Sequence, residues 1–100
     1  MTLLLNCDLG ENSSHENSNV DGAVMPFIDQ ANIACGYHAG DSGTMAQTID
    51  YALRHNVTIG AHPSYPDRKN FGRISMDIPH KELINLVKVQ IETLIDLSLI

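Results

Sequence analysis

Three short apolar segments in this chain each run directly into a cluster of polar residues. The segments cover residues 3–5, 31–35 and 57–61, and acids, amides or histidines follow each of them. A short apolar run bounded by glycine and polar residues is typical of a buried strand, and two of the three are followed by helical periodicity. The pattern predicts a β/α repeat and an α/β fold class. Because loops that leave the carboxyl ends of parallel strands share one side of the sheet, we expect the polar clusters to meet in one site.

The hydrophobic pattern also predicts where the elements begin and end. Strands are predicted over residues 2–7, 30–35 and 57–61. Long polar loops are predicted over residues 8–19 and 63–78, and loops of this length are often functional. Between the first loop and the second strand, residues 20–29 are expected to form a helical turn. Its core-facing side chains are Met25, Phe27 and Ile28.

A helix is predicted to follow the second strand. It should begin with Asp41 or Ser42 as its N-cap and stop at Asn56, which tolerates the left-handed conformation that ends many helices. Its predicted buried residues are Met45, Ile49, Ala52 and Leu53.

The last predicted helix begins at Pro79, a residue that favours the first helical position. Its apolar stripe consists of Leu83, Ile84, Val87, Ile91, Leu94 and Ile95. Further apolar residues widen the stripe beyond half the circumference, and such a helix needs neighbours on both sides. Because it reaches Ile100 without a capping signal, residues 1–100 are expected to be the incomplete N-terminal part of a single larger domain.

Composition excludes several classes of function. The net charge of −6, with six basic against twelve acidic residues, argues against a nucleic-acid partner, since phosphate binding needs clustered lysine and arginine. No apolar run is long enough to span a membrane, and the first residues lack the basic segment of a signal peptide. We therefore expect a cytoplasmic protein with no membrane partner. Cys7 and Cys35 are expected to be reduced packing residues, with a redox pair as the alternative.

The first polar cluster holds two carboxylates. Asp8 and Glu11 lie three residues apart across a glycine and could point into one cavity, where paired acids serve acid/base chemistry or bind metal. The structural alternative is that either carboxylate caps the following loop. Asp8 is the better catalytic candidate because it stands where the strand opens.

The second and third clusters contribute two histidines. His38 and Asp41 lie in a turn bracketed by glycines just before a helix, where backbone N–H groups could bind an anion. Asp41 could equally be only the helix cap. His62 precedes Pro63. A proline restricts the residue before it to extended backbone, so the backbone that carries the His62 side chain is expected to be rigid.

Asp8, His38 and His62 are together a candidate set of ligands for a divalent metal. The chain contains neither of the common histidine pairs on a helix, HxxxH and HExxH, so the sequence signal for metal is weak. It also lacks a P-loop, so any nucleotide must be bound in another way. Arg68, Lys69 and Arg73 are the cations able to pair with a carboxylate or phosphate, and solvated loop charge is the alternative for them.

Four motifs, in this order and spacing, closely resemble the N-terminal part of the LamB/YcsF family, to which the A subunits of 5-oxoprolinase belong. They occupy residues 6–11 (NCDLGE), 31–41 (ANIACGYHAGD), 59–67 (IGAHPSYPD) and 70–73 (NFGR). The resemblance covers nearly the whole chain. It implies an irregular seven-stranded β/α barrel like that of polysaccharide deacetylases, of which this chain would form the first part.

The resemblance also implies an activity, the ATP-dependent opening of the lactam ring of 5-oxo-L-proline to L-glutamate, performed with partner subunits B and C. Asp8 would then be the acid/base or metal-binding carboxylate, while His38 and His62 would polarise the lactam or orient water. The expected substrate-binding residues are Glu11, Asn32, Asp41 and Arg73. ATP is the implied cosubstrate, and a divalent metal at Asp8, His38 and His62 stays open.

Two other functions fit the same residues. One is a metal-dependent amide or carbohydrate hydrolase that needs no ATP. The other is a non-catalytic assembly module whose wide apolar last helix docks a partner chain. The same helix leaves a homo-oligomer open.

Overall fold

A three-stranded parallel sheet forms the centre of the fold in the computed structural model, which describes residues 2–12 and 20–99. The strands are β1 (Asn6–Leu9), β2 (Gln30–Ala34) and β3 (Thr58–His62), and they lie side by side in chain order. In register, Asp8 lies beside Asn32, and Asn32 lies beside Gly60. The predicted α/β class with parallel strands is confirmed.

Helices connect the strands. A short helix α1 (Val20–Val24) continues into a 3-10 turn (Met25–Phe27), α2 (Ser42–Arg54) joins β2 to β3, and α3 (His80–Ser98) follows β3. The predicted N-cap of α2 is confirmed, since Asp41 Oδ1 accepts a hydrogen bond from the Thr44 N–H at 2.8 Å. Asn56 takes a left-handed φ of 56°, as predicted for the end of this helix.

The two faces of the sheet differ in character. Because successive strand residues point to opposite faces, odd-numbered strand residues lie on one face and even-numbered ones on the other. The odd face packs against α2 and α3 in a single core of Leu9, Met25, Ala31, Ile33, Cys35, Met45, Ile49, Ala52, Val57 and Leu94. The even face carries the polar side chains of Asn6, Asp8, Gln30, Asn32, Thr58 and His62.

The first strand begins later than predicted. Residues 2–5 lie outside β1, and Leu3 is 79% exposed. The reason is that β2 begins at Gln30, which pairs with Asn6, so no strand lies beside the residues before Asn6. β2 ends one residue earlier than predicted, and β3 is shifted one residue toward the carboxyl end. Of the polar loop predicted over residues 8–19, the part from 13 to 19 lies outside the described residues.

Two predicted core residues are on the surface. Phe27 is 76% exposed because Met25 fills the core position offered by the 3-10 turn. Leu53 is 57% exposed, and Ala52 supplies the buried contact of the last turn of α2. On α3, Leu94 is buried while Ile84, Val87, Ile91 and Ile95 of the predicted stripe are exposed. The helix contacts α2 and β3, which cover only part of its wide apolar surface.

The remaining expectations concern cysteines and membranes. Cys7 and Cys35 are free thiols, and Cys35 is buried in the core as expected for a packing cysteine. In the described parts of the chain, no helix has the length and apolar character needed to cross a bilayer.

Candidate functional site

A pocket of about 250 Å³ opens at the carboxyl ends of the strands. Its lining residues are Asp8, His38, His62, Ser64, Phe71, Gly72 and Arg73. Asp8 is the third residue of β1, His62 is the last residue of β3, and His38 lies in the loop after β2. The structure thus brings the polar residues of all three strand ends together.

Two imidazole rings meet in this pocket. The ring centroids of His38 and His62 are 4.8 Å apart, and His38 is only 3% exposed. His38 Nε2 lies 3.1 Å from Glu11 Oε2, within hydrogen-bond distance. The Nδ1 atoms of both rings are buried and have no hydrogen-bond partner among the described residues. Within the described residues, these two atoms are polar groups of one pocket whose hydrogen bonding is incomplete.

Asp8 is held by the amide side chains of the polar face. Asn32 donates through Nδ2 to Asp8 Oδ1 at 3.3 Å and to Asn6 Oδ1 at 2.9 Å. Gln30 in turn donates to Asn32 Oδ1 at 3.2 Å. Asp8 Oδ1 also lies 3.9 Å from His62 Nδ1, and its carboxylate is more than half exposed. The hydrogen bond from Asn32 therefore orients the Asp8 carboxylate, while solvent in the pocket can still reach it.

The turn that carries His38 is fixed at both ends. The Arg68 guanidinium donates to the carbonyl of Gly36 at 2.7 Å and also to that of Gly40. Gly40 has a φ of +75°, and a Cβ there would overlap the Gly10 carbonyl oxygen. Arg68 thus stabilises this turn by hydrogen bonds to its backbone. From the sequence, Arg68 was predicted either to pair with an anion or to be a solvated charge in a loop.

The loop after β3 forms another wall of the pocket. Buried Gln90 of α3 bonds both backbone groups of Ser64, two residues beyond His62. The ring of Phe71 packs edge-on against His38, with centroids 4.8 Å apart. A Cβ at Gly72 would overlap Ser64 Oγ, so glycine permits the close approach of this loop.

The predicted substrate-binding residues fall in different places. Arg73 lines the pocket, and its guanidinium carbon lies 5.8 Å from the Phe71 ring centroid. Glu11 contacts His38, and Asn32 contacts Asp8. Asp41 caps α2 through Oδ1, which is the structural role that the sequence left open for it. Its part in substrate binding stays a prediction.

Sequence reasoning missed the residues that support the site. Gln90, Ser64, Phe71 and Arg68 fix the two loops, yet the sequence assigned none of them that role. Only Gln90 gave a signal, because it is a polar residue inside the widened apolar surface of the last helix. The contacts of the others join loops that are far apart in the chain, and no local pattern indicates them.

Comparison with known proteins gives a consistent result. Residues 3–99 match the model of the LamB/YcsF family. The chain is 55% identical over 92 residues to the second 5-oxoprolinase A subunit of Pseudomonas putida, covering 92% of this chain and 36% of that protein. It is 50% identical over 93 residues to the 5-oxoprolinase A subunit of Vibrio cholerae, covering 93% of this chain and 38% of that protein.

A solved structure shares the fold. The lactam utilization protein of Thermus thermophilus superposes with a TM-score of 0.89 at 35% sequence identity, covering 97% of this chain and 39% of that one. The chain therefore spans well under half the length of the proteins it matches. Since the family model covers nearly all of its residues, the chain belongs to the LamB/YcsF family.

Proposed function

We propose that this chain is the N-terminal part of a single β/α-barrel domain, residues 1–100, and that it contributes catalytic residues to ATP-dependent 5-oxoprolinase. The reaction opens the lactam of 5-oxo-L-proline to L-glutamate and cleaves ATP, together with subunits B and C. The observation that supports this proposal most directly is the convergence of Asp8, His38 and His62 in one pocket, in a chain that resembles 5-oxoprolinase A subunits over nearly its whole length.

The chemistry explains why ATP is needed. An unstrained amide is a poor electrophile. Transfer of the γ-phosphoryl group of ATP to the amide oxygen, with ADP as the leaving group, makes the ring carbon open to attack by water. The ring C–N bond then breaks as the nitrogen takes up a proton, and a second water hydrolyses the resulting acyl phosphate to the carboxylate and phosphate. Asp8 suits the acid/base role, since Asn32 orients one of its oxygens and solvent reaches the carboxylate. His38 and His62, which line the same pocket, then polarise the lactam or orient the water.

Recognition of the substrate falls to the residues around these three. Arg73 is a candidate to pair with the substrate carboxylate or with a phosphate, because it lines the same pocket and carries a guanidinium. Glu11 and Asn32 set the positions of His38 and Asp8. Asp41 acts indirectly: it caps α2, and this helix begins next to the turn that carries His38.

The test uses the complete enzyme assembled with subunits B and C. Asp8→Asn keeps the shape of the side chain and removes its charge, and we expect glutamate formation to fall by roughly a hundredfold or more. The matched control is Asp50→Asn, an exposed carboxylate on α2 paired with Arg54, which should leave turnover unchanged. Turnover of Asp8→Asn within a few-fold of the unmodified enzyme would rule out the proposed role.

A second candidate function is a metal-dependent amide or carbohydrate hydrolase that needs no ATP. The grouping of Glu11 with the two histidines favours it, because these are metal-binding side chains. Omitting ATP separates the two functions. Glutamate formation that continues without ATP supports the hydrolase, and strict dependence on ATP supports the oxoprolinase.

A further inference from the structure

Three potential metal ligands cluster beside the pocket, and they differ from the set that the sequence suggested. One donor atom each from Glu11, His38 and His62 lie within 4.8 Å of one another. We propose that these three residues bind a divalent transition-metal ion of the Zn²⁺ class and that Asp8 stays outside the ligand set. The binding site follows from this geometry alone, while its part in lactam opening rests on the proposed function.

The spacing of the first two donors fits a shared ion. Zinc lies at roughly 2.0–2.2 Å from imidazole nitrogen and carboxylate oxygen, so two such ligands on one ion are about 3.0–3.5 Å apart. Glu11 Oε2 and His38 Nε2 are 3.1 Å apart. His62 stands beside them, with its ring 4.8 Å from that of His38. The three donor atoms lie within 4.8 Å of one another, so binding one ion requires the His62 side chain to move closer by roughly 1–2 Å.

The surroundings of the two rings are compatible with metal binding. His38 is almost completely buried, and in each ring the fold leaves Nδ1 without a hydrogen-bond partner among the described residues. An ion bound through the other nitrogen of each ring leaves Nδ1 to an outer partner, which for His62 is the Asp8 carboxylate 3.9 Å away and for His38 would be water. Contacts of Arg68, Phe71 and Gly72 fix the loops around the two histidines, so the positions of the rings are restrained before any ion binds.

The donor set selects the class of ion. Two imidazoles and one carboxylate suit Zn²⁺ and neighbouring first-row ions, whereas Mg²⁺ and Ca²⁺ prefer oxygen ligands throughout. Three protein ligands leave a coordination position for water or substrate, as catalytic zinc sites do. Such an ion, when bound, supplies polarisation of a carbonyl oxygen or activation of water.

Asp8 takes a supporting role in this arrangement. Its Oδ1 lies 3.9 Å from His62 Nδ1 and is already hydrogen-bonded by Asn32. A histidine that binds metal through one nitrogen commonly donates its other N–H to a carboxylate, which fixes the ring. With Nδ1 of His62 facing Asp8, the other ring nitrogen is left for the ion. Asp8 would position His62 once this 3.9 Å separation shortens to hydrogen-bond distance, and its carboxylate remains available for acid/base chemistry.

The site is tested by titrating the metal-free protein with Co²⁺, whose visible absorption reports its ligands, and then displacing it with Zn²⁺. We expect one ion per chain. Glu11→Gln should weaken binding by more than tenfold and alter the absorption spectrum, because it removes a ligand. Asp8→Asn should weaken binding by about 10–100-fold while the spectrum keeps its shape, because it acts behind His62. His55→Ala, an exposed histidine at the end of α2, is the matched control.

The outcomes are distinct, and circular dichroism establishes that each variant is folded. Absence of saturable binding overturns the site, as does a Glu11→Gln affinity within twofold of the unmodified protein or an equal loss in His55→Ala. If no metal binds while Asp8→Asn still abolishes ATP-dependent turnover, the metal site fails and the proposed function stands. If metal binds as expected but the assembled enzyme opens no lactam, the proposed function fails and the site stands.

Discussion

Gln90 bonds both backbone polar groups of Ser64 at once. Its Oε1 accepts from the Ser64 N–H at 2.9 Å, and its Nε2 donates to the Ser64 carbonyl at 2.8 Å, with a further bond to the Leu86 carbonyl at 3.1 Å. The Gln90 amide thus makes the same pair of hydrogen bonds to Ser64 that the backbone of a neighbouring strand would make. This contact with the middle of α3 fixes the path of the loop that follows His62.

Replacing Gln90 should therefore destabilise the protein. Gln90→Ala leaves the Ser64 N–H and carbonyl, which are half-buried, without their protein partner, at a cost of about 1–2 kcal/mol in the free energy of unfolding. Urea denaturation measures the difference. The matched control is Gln47→Ala, which removes only an exposed bond to the Tyr51 hydroxyl and should change stability by less than about 0.5 kcal/mol. Equal effects of the two variants would show that the Ser64 contact contributes little.

Gly40 should be intolerant of any side chain. Gly40→Ala sets a Cβ into the Gly10 carbonyl oxygen and forces alanine to a φ of +75°, so we expect a loss of several kcal/mol, measured by thermal or urea unfolding. Gly43→Ala is the control, because Gly43 is exposed within α2, where alanine is the better helix former. That variant should match or exceed the stability of the unmodified protein. A stable Gly40→Ala variant would contradict the close packing of the two loops.

Arg68 should matter for its shape as well as its charge. One guanidinium nitrogen, Nη2, donates to both the Gly36 and the Gly40 carbonyls from the end of a rigid planar group. The ammonium of Arg68→Lys ends a shorter and more flexible side chain, so it should not hold both carbonyls in one fixed arrangement. We expect the His38 turn to lose amide hydrogen-exchange protection by about tenfold, with little change in the core strands. Lys69→Ala, at the neighbouring exposed position, should leave protection unchanged. Full protection in Arg68→Lys would mean that charge alone is enough.

The thiols should react slowly near neutral pH. Burial raises the pKa of Cys35, and burial followed by the charges of Asp8, Asp21 and Glu11 raises the pKa of Cys7. A raised pKa leaves less reactive thiolate, so alkylation of Cys7 by iodoacetamide should be slower than that of the unfolded chain and should accelerate as pH increases. Asp8→Asn removes one negative neighbour and should speed the reaction, whereas Asp50→Asn on α2 should not. A rate that does not depend on pH would contradict the role of the thiolate.

Local patterns predicted the scaffold better than the site. A few consecutive residues determine each strand segment and each end of α2. The structure confirms the parallel strands, the Asp41 cap at the start of α2 and the left-handed Asn56 after its last turn. The beginning of β1 was wrong because apolar residues at 3–5 resemble a strand even though β2 offers them no partner. Register with a neighbouring strand is a tertiary property that the pattern of one segment does not contain.

The same limit applies to the pocket. The sequence identified Glu11 and His38 separately, but their contact joins residues 27 positions apart through two loops whose paths depend on Gly10 and Gly40. The support from Gln90 depends on how α3 packs, which no local motif encodes. Residue types at strand ends can thus be predicted, whereas their pairing follows from the packing of loops.

The alternation of the sheet separates two kinds of evolutionary constraint. Odd-numbered strand residues such as Ile33 lie in the core, where a change of volume affects the whole fold, while even-numbered neighbours such as Asn32 reach the polar face. A substitution at an even position therefore acts on the polar face and its pocket, and it leaves the hydrophobic interior intact. Adjacent residues of one strand thus meet different physical requirements, one set by the volume of the core and the other by the polar groups of the opposite face.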